Sequence, residues 1–440
     1  MKKLLVLSVI FALVAGSVFA ADVSGAVIGT FTLLEGNTGK WMTEDGENPL
    51  LDGDNKPVES PTSRPITTSS GMDRVRIEAS GENEDGTFGG WARIEGLHWN
   101  GDYFSGYAWW KPFDALLVRL GTNGGDGFWG KDGVTRWMFY QTVTDTGVSF
   151  GGDNSWGNSI YGIGADFNGA FFGGLGANAL MLEIKPIDIL GINIGIPFGG
   201  GKVADEYKNI NIQLDLNLDF GNIALTFVGN QGKLDVEFDD ETYDVDVKAS
   251  GAKIYAYFGM PLNEQMSIDV GLGYTLAVKG EKDTELDGMT YNAPIAVGAG
   301  FKFASDSFGL KARVTALLAG KLAPKEGDAI ADPMKVLFDV IPFFPIGDKA
   351  TLFVSAGIGF KAEDNKIDPA DGKVKAVTDS SVFGWHLNPF IQIGEEWGPK
   401  FLAGIKLWSG AAKDESGFKD DKPGSTFVNW AIPIAVNVSF

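Results

Sequence analysis

Residues 430–440 read Trp430-Ala431-Ile432-Pro433-Ile434-Ala435-Val436-Asn437-Val438-Ser439-Phe440. Large apolar side chains fall on the even positions and small or polar ones on the odd positions, through to the last residue. Side chains of a β-strand point to opposite faces with a period of two. The segment is therefore a strand with one greasy face and one mild face, and it ends on an aromatic carried by the greasy face. Pro433 has no N–H to give to a ladder, so a local irregularity is expected where this strand pairs with the first one.

The same alternation recurs along the chain. Between Asn209 and Phe220, Ile210, Ile212, Leu214, Leu216, Leu218 and Phe220 share one face, and Asn209, Asn211, Gln213, Asp215, Asn217 and Asp219 share the other. No helix segregates those two sets. Val23 to Phe31, Met266 to Val278, Phe308 to Leu318, Leu352 to Phe360 and Phe401 to Leu407 repeat the pattern. Their polar face is mostly Gly, Ala, Ser, Thr and Asn with few charges, whereas the solvated face of a soluble sandwich carries many. Such a face suits a crowded, hydrated lumen, and the greasy face, with no helix to cover it, is left for lipid. Closing the sheet removes its unpaired edges. The expected fold class is all-β, a transmembrane antiparallel β-barrel.

Composition agrees. The chain is 44% hydrophobic and 12% aromatic, with 61 Gly in 440 residues. Outside the N-terminal run no stretch approaches the roughly 18 apolar residues of a spanning helix, and a barrel hides its hydrophobicity in alternation. A formal charge of −21 argues against a nucleic-acid partner. The lack of Cys excludes a disulfide framework and a thioether-linked lipid anchor. Met1-Lys2-Lys3, the apolar run Leu4 to Val14 and the small residues Ala15 to Ala20 make the three parts of an export signal. Residues 1–20 are thus expected to be a cleaved signal peptide and 21–440 a single barrel domain.

Turns form a second pattern. Lys111-Pro112-Phe113-Asp114, Lys185-Pro186-Ile187-Asp188, Met260-Pro261-Leu262-Asn263 and Phe344-Pro345-Ile346-Gly347-Asp348 each join Pro, which stops a ladder, to a turn former. These short turns alternate with long acidic, Gly-rich connections at 35–71, 281–289, 363–378 and 411–425. With both termini on the short-turn side, the count comes to about 18 strands, within roughly 16–20. Residues 122–169 differ: Phe128, Trp129, Trp137, Phe139, Tyr140 and Trp156 stand among many Gly. That is too aromatic for disorder and longer than ordinary loops. One long loop folded inward to narrow a pore is expected there, the alternative being two further strands.

Arginine is concentrated on the polar face. Arg74, Arg76, Arg93 and Arg119 fall there on early strands, and Lys311 and Arg313 on a later one, while Val75, Ile77, Ile94, Val118 and Leu120 point outward. Fixed cations beside a pore favour anions, because guanidinium donates fork-like hydrogen bonds to carboxylate or phosphate. A purely structural role is the stronger reading and can coexist with that one. If Asp85-Gly86 is a hairpin turn, Arg76 faces Glu95, Glu78 faces Arg93 and Ile77 faces Ile94, which makes cross-strand ion pairs that brace the wall.

Signals for chemistry are poor. His98 and His386 stand beside Trp99 and Trp385 and read as loop or girdle residues. No spacing points to nucleophilic catalysis, so neither an enzyme nor a cofactor is expected. Asp52-Gly53-Asp54-Asn55 has the look of a calcium loop, but Lys56 stands where another ligand is needed, and no metal is expected. No Gly-rich phosphate motif lies between a strand and a helix. Trp109, Trp110, Trp408 and Trp430 at strand ends suit interfacial girdles.

The export signal, the run of alternating strands and the terminal Phe440 together resemble the bacterial outer-membrane porins, as a pattern over the whole mature chain. The resemblance implies residence in the bacterial outer membrane among its lipids, short periplasmic turns and long extracellular loops. It implies that Phe440 is a sorting signal presented to the barrel-assembly machinery on the C-terminal strand. It implies a water-filled channel for passive diffusion of small hydrophilic solutes. There is no room for a large N-terminal plug, and alternation begins too early for an N-terminal hatch. A surface adhesin or structural barrel working through its acidic loops is the alternative function. A homotrimer and a monomer read alike, because a subunit interface would be as apolar as the lipid face.

Overall fold

The computed structural model describes residues 20–37, 67–97, 101–121, 179–197, 210–229, 232–238, 241–247, 253–276, 278–279, 290–292, 295–318, 321–323, 330–331, 334–361, 365–367, 374–376, 382–394, 399–410 and 427–439. They build a closed barrel of 18 strands. These are β1 (Ala20–Asn37), β2 (Thr67–Glu82), β3 (Phe88–Leu97), β4 (Gly101–Phe113), β5 (Leu116–Gly121), β6 (Ala179–Ile187), β7 (Leu190–Pro197), β8 (Asn211–Leu218) and β9 (Gly221–Val228). They continue as β10 (Lys253–Pro261), β11 (Met266–Thr275), β12 (Ile295–Ala304), β13 (Gly309–Leu318), β14 (Lys335–Ile346), β15 (Ala350–Lys361), β16 (Val382–Gly394), β17 in two pieces (Lys400–Gly404 and Lys406–Gly410) and β18 (Phe427–Ser439). Each strand pairs antiparallel with its neighbours in sequence, and β18 returns to β1, so no edge is left open. The connections also carry short pairings, such as Gly232–Phe238 with Glu241–Val247. No helix occurs among the described residues.

Two of the irregularities lie at prolines, while the shift between Ile28 and Gly29 in the β1–β2 pair has none beside it. In β16, Pro389 still accepts from the Ile405 N–H at 2.9 Å but has no N–H to return. The ladder therefore breaks at Ile405 and splits β17, although the register continues unchanged from Phe390↔Gly404 to Leu387↔Leu407. At the closing seam Pro433 lies opposite Thr32, and the next pair is Glu35↔Ala431. Strand β1 holds one extra residue there, a bulge that leaves Leu33 and Leu34 both exposed. The irregularity expected from Pro433 thus falls on its partner strand.

The short turns gather at the end of the barrel where β1 begins and β18 stops. Asp114-Ala115, Asp188-Ile189 and Asp219-Phe220 close two-residue hairpins. Asn263 caps the turn after β10, its Oδ1 accepting from the N–H groups of Gln265 at 2.9 Å and Met266 at 2.8 Å. The β2–β3 pair keeps the register centred on Asp85-Gly86, with Arg76↔Glu95, Ile77↔Ile94 and Glu78↔Arg93. The turn itself is wider than a two-residue hairpin. Asn83 N–H reaches Phe88 O at 2.9 Å, and Asn83 Oδ1 takes the N–H groups of Thr87 and Phe88. Widening the loop equally on both sides leaves the register untouched.

The two faces separate cleanly. Along β13, Lys311, Arg313, Thr315 and Leu317 are buried, while Val314 and Leu318 are exposed. Along β18, Ala431, Pro433, Ala435 and Asn437 are buried, and Val438 is 51% exposed. Ile77, Leu214, Leu225, Val270, Leu272, Phe338, Ile358 and Leu387 continue the apolar skin around the barrel. A skin of that extent is out of place in water and matches a hydrocarbon layer. Phe88 and Trp110, both on the outer face near the turns, stack with centroids 6.1 Å apart and belong to an interfacial girdle. Trp109 does not: its ring lies over Gly89 on the inner face, because it is one residue out of phase with Trp110.

Gly121 ends β5 with φ of +145°, and a Cβ there would fall on the Gly106 carbonyl oxygen. Gly121→Ala is expected to destabilise the β4–β5 pairing by at least about 1–2 kcal/mol. A lower temperature for loss of the compact, heat-modifiable band on gels checks it, and an unchanged temperature counts against it.

Candidate pore-wall site

The inner faces of β2–β6 carry a belt of charge and aromatic rings. Arg93 Nε donates to Glu78 Oε1 at 2.6 Å across the β2–β3 pair, and Arg76 Nε lies 3.7 Å from the same oxygen. Arg119 on β5 pairs with Glu183 on β6 at 2.8 Å. The Arg93 guanidinium sits 5.0 Å over the Trp91 ring, and that of Arg119 5.1 Å over the Tyr107 ring. Rings hold guanidinium groups flat by cation–π attraction, so these arginines are laid against the wall. Their side chains and those of the two glutamates remain 18–26% exposed. Each such ion pair contributes less than about 1 kcal/mol to stability. Arg74 and Glu95 take their expected ladder positions, opposite Leu97 and Arg76.

On the far side, β13–β17 hold a second, sealed cluster. Arg313 Nε and Nη2 donate to Asp339 Oδ2 at 2.8 and 2.6 Å, with both side chains fully buried. His386 Nε2 lies 3.6 Å from Asp339 Oδ1 and 3.2 Å from Ser355 Oγ. Lys311 Nζ stands 5.7 Å over the Phe343 ring. Toward the turns, Phe343, Phe353 and Phe390 form a column with centroids 5.7 and 4.9 Å apart, and Phe390 packs against Leu402 and Ala435. His386 is therefore an inner-wall residue, against the loop or girdle position expected of it. Its Trp385 neighbour pointed to an interface, but Trp385 and His386 lie on opposite faces of one strand.

Ser355, His386 and Asp339 are the residue types of a hydrolytic triad in the wrong arrangement. In a triad the serine uses one ring nitrogen and the carboxylate orients the other. Here both reach Nε2, and Asp339 is already held by Arg313. The cluster acts as a brace between strands. Among the described residues no group of His, Cys, Asp or Glu could hold a metal ion.

An inside of paired charges and an outside of exposed aliphatic and aromatic side chains, on a closed antiparallel sheet, is the architecture that crosses bacterial outer membranes. The chain is an outer-membrane β-barrel. No protein-family model matches this barrel, and no curated protein does. Among solved structures it is similar to Pseudomonas aeruginosa OprD, at 9% identity and a TM-score of 0.47, covering 96% of this chain and 95% of that one. An anion-selective porin from Comamonas acidovorans aligns at 11% identity and a TM-score of 0.46, over 95% and 99% of the chains. The trimer form of Vibrio cholerae OmpT, an outer membrane protein, aligns at 10% and 0.40, over 96% and 99%.

Arg76, Glu78, Arg93, Arg119, Lys311 and Arg313 lie on the inner face that the alternation assigned to them, whereas Glu183, Asp339 and Ser355 were not singled out from the sequence. One signal was available: Asp339 is the lone charge in the apolar run Val336-Leu337-Phe338-Asp339-Val340-Ile341, where an ionised group needs a partner. Phe128, Trp129, Trp137, Tyr140, Trp156, His98, Phe440 and the 52–56 segment lie outside the described residues, as do residues 1–19.

Proposed function

We propose that the barrel is a porin-type channel through which small hydrophilic solutes diffuse passively. The observation that carries this reading is the segregation itself: a membrane-facing skin encloses a wall where Arg76, Glu78, Arg93, Arg119 and Glu183 keep contact with water. A barrel built only as a scaffold has no need to keep charges hydrated on its inside. Those five charges are nearly balanced, three arginines against two glutamates, so ion selectivity is weak and the arginines act first as braces. The reading includes a signal peptide at residues 1–20 removed on export, Phe440 presented to the assembly machinery, and the aromatic connection 122–169 narrowing the pore. No catalytic step and no cofactor enter it. The adhesin alternative rests on acidic connections that fall mostly outside the described residues.

Liposome swelling tests this directly. Vesicles carrying the refolded barrel are expected to swell in isosmotic arabinose faster than in a trisaccharide, and empty vesicles not at all. Vesicles that stay closed to arabinose, with the barrel correctly folded in them, overturn the reading.

A further inference from the structure

Burial is distributed unevenly around the inner wall. On β1–β5, none of the inner-facing residues whose accessibility is described is buried: Ser24, Ala26, Arg76, Glu78, Ser80, Trp91, Arg93, Tyr107 and Arg119 are all half-buried or exposed. From β6 onward every strand carries buried inner residues, from Met181 through Gln213, Thr226, Tyr255 and Asp269 to Arg313, Ser355 and Asn437. At Arg313, Thr315, Leu337, Asp339, Ser355, Asn388 and Leu402 accessibility is 2% or less. A side chain that touches no water has no water-filled space beside it. A wide lumen centred on the barrel axis would wet all 18 strands alike.

We infer that the aqueous path is eccentric: solutes pass along the inner faces of β1–β5, and the wall from β11 to β17 is packed shut. This rests on the channel reading and locates its path. The surface met by a solute is then the Trp91–Arg93 and Tyr107–Arg119 pairs with Glu78, edged by Glu183 on the adjoining β6, an amphoteric surface with ring faces. The Arg313 cluster and the phenylalanine column lie off the path and serve the wall. Crossing solutes therefore meet both signs of charge at once, which favours neutral and zwitterionic solutes over singly charged ones.

The chain has no Cys, so single cysteines can be placed without further changes. Arg76→Cys and Arg93→Cys report on the open arc; Ser355→Cys and Thr315→Cys, both close in shape to the native residue, report on the packed one. Folded barrels in liposomes are exposed to a membrane-impermeant methanethiosulfonate and labelling is followed by mass. The open-arc thiols are expected to react at least roughly tenfold faster, because a packed thiol waits on local opening. Equal rates in the two arcs, faster reaction at Ser355→Cys and Thr315→Cys, or no reaction in either arc overturn the eccentric path. The channel reading is judged separately, by solute entry through the unlabelled barrel, so either can fail without the other.

Discussion

Replacing Asp339 with Ala is expected to destabilise the barrel by about 3–5 kcal/mol, the usual cost of removing one partner from a buried ion pair. Arg313 directs two N–H groups at one Asp339 oxygen, and neither side chain touches solvent. Without the carboxylate a guanidinium is left in a packed wall that offers little water, and His386 loses the carboxylate oxygen that stands 3.6 Å from its ring. The double variant Arg313→Met with Asp339→Leu removes both charges and retains most of the bulk, so it is expected to cost less than Asp339→Ala alone. Urea unfolding in detergent, followed by tryptophan fluorescence and by the heat-modifiable gel shift, gives the comparison. A double variant that is no better than the single one would mean that the pair contributes through its own attraction rather than by avoiding an unpaired charge.

Arg119→Glu is expected to turn the channel toward cations. Arg119 and Glu183 cancel one another in the accessible arc, 2.8 Å apart and about one-fifth exposed. The substitution changes the wall by two units of charge and leaves two carboxylates side by side. One charge about 4 Å from a passing ion is worth about 1 kcal/mol even in water, so a several-fold rise in the potassium-to-chloride permeability ratio is expected. The reversal potential across a planar bilayer under a potassium chloride gradient reads it. The effect shrinks as salt is raised, because the Debye length falls. Arg313→Gln, in the sealed arc, is expected to lower stability and leave the ratio as it was. A shift at Arg313 equal to that at Arg119 would place the path along the wrong wall.

Strand identity and face were legible because alternation is a local property. Ile210 to Phe220, Phe308 to Leu318 and Trp430 to Phe440 each announce one greasy and one mild face, and closing the sheet needs only enough of them. Register in β2–β3 was legible too, since Asp85-Gly86 fixes the centre of symmetry even though the turn is wider than two residues. What the sequence did not carry is which inner residues meet across strands far apart in the chain. Arg313 and Asp339 are 26 residues apart, and their pairing depends on the length of the intervening connection, which no periodicity encodes. The phase of an aromatic pair was similarly hidden. Trp109 and Trp110 look alike at a strand end, and only the Phe88 stack and the Gly89 contact tell the outer one from the inner. The uneven burial of the inner wall has no sequence signature, because Ser80 and Ser355 are the same residue type on opposite arcs.

Single-channel recording in planar bilayers tests the central claim most directly. The purified barrel, confirmed as folded by its heat-modifiable mobility, is expected to insert in discrete steps of steady conductance that scale with bulk salt, as a water-filled path requires. Folded protein that inserts and passes no current at any voltage or salt concentration would contradict the account.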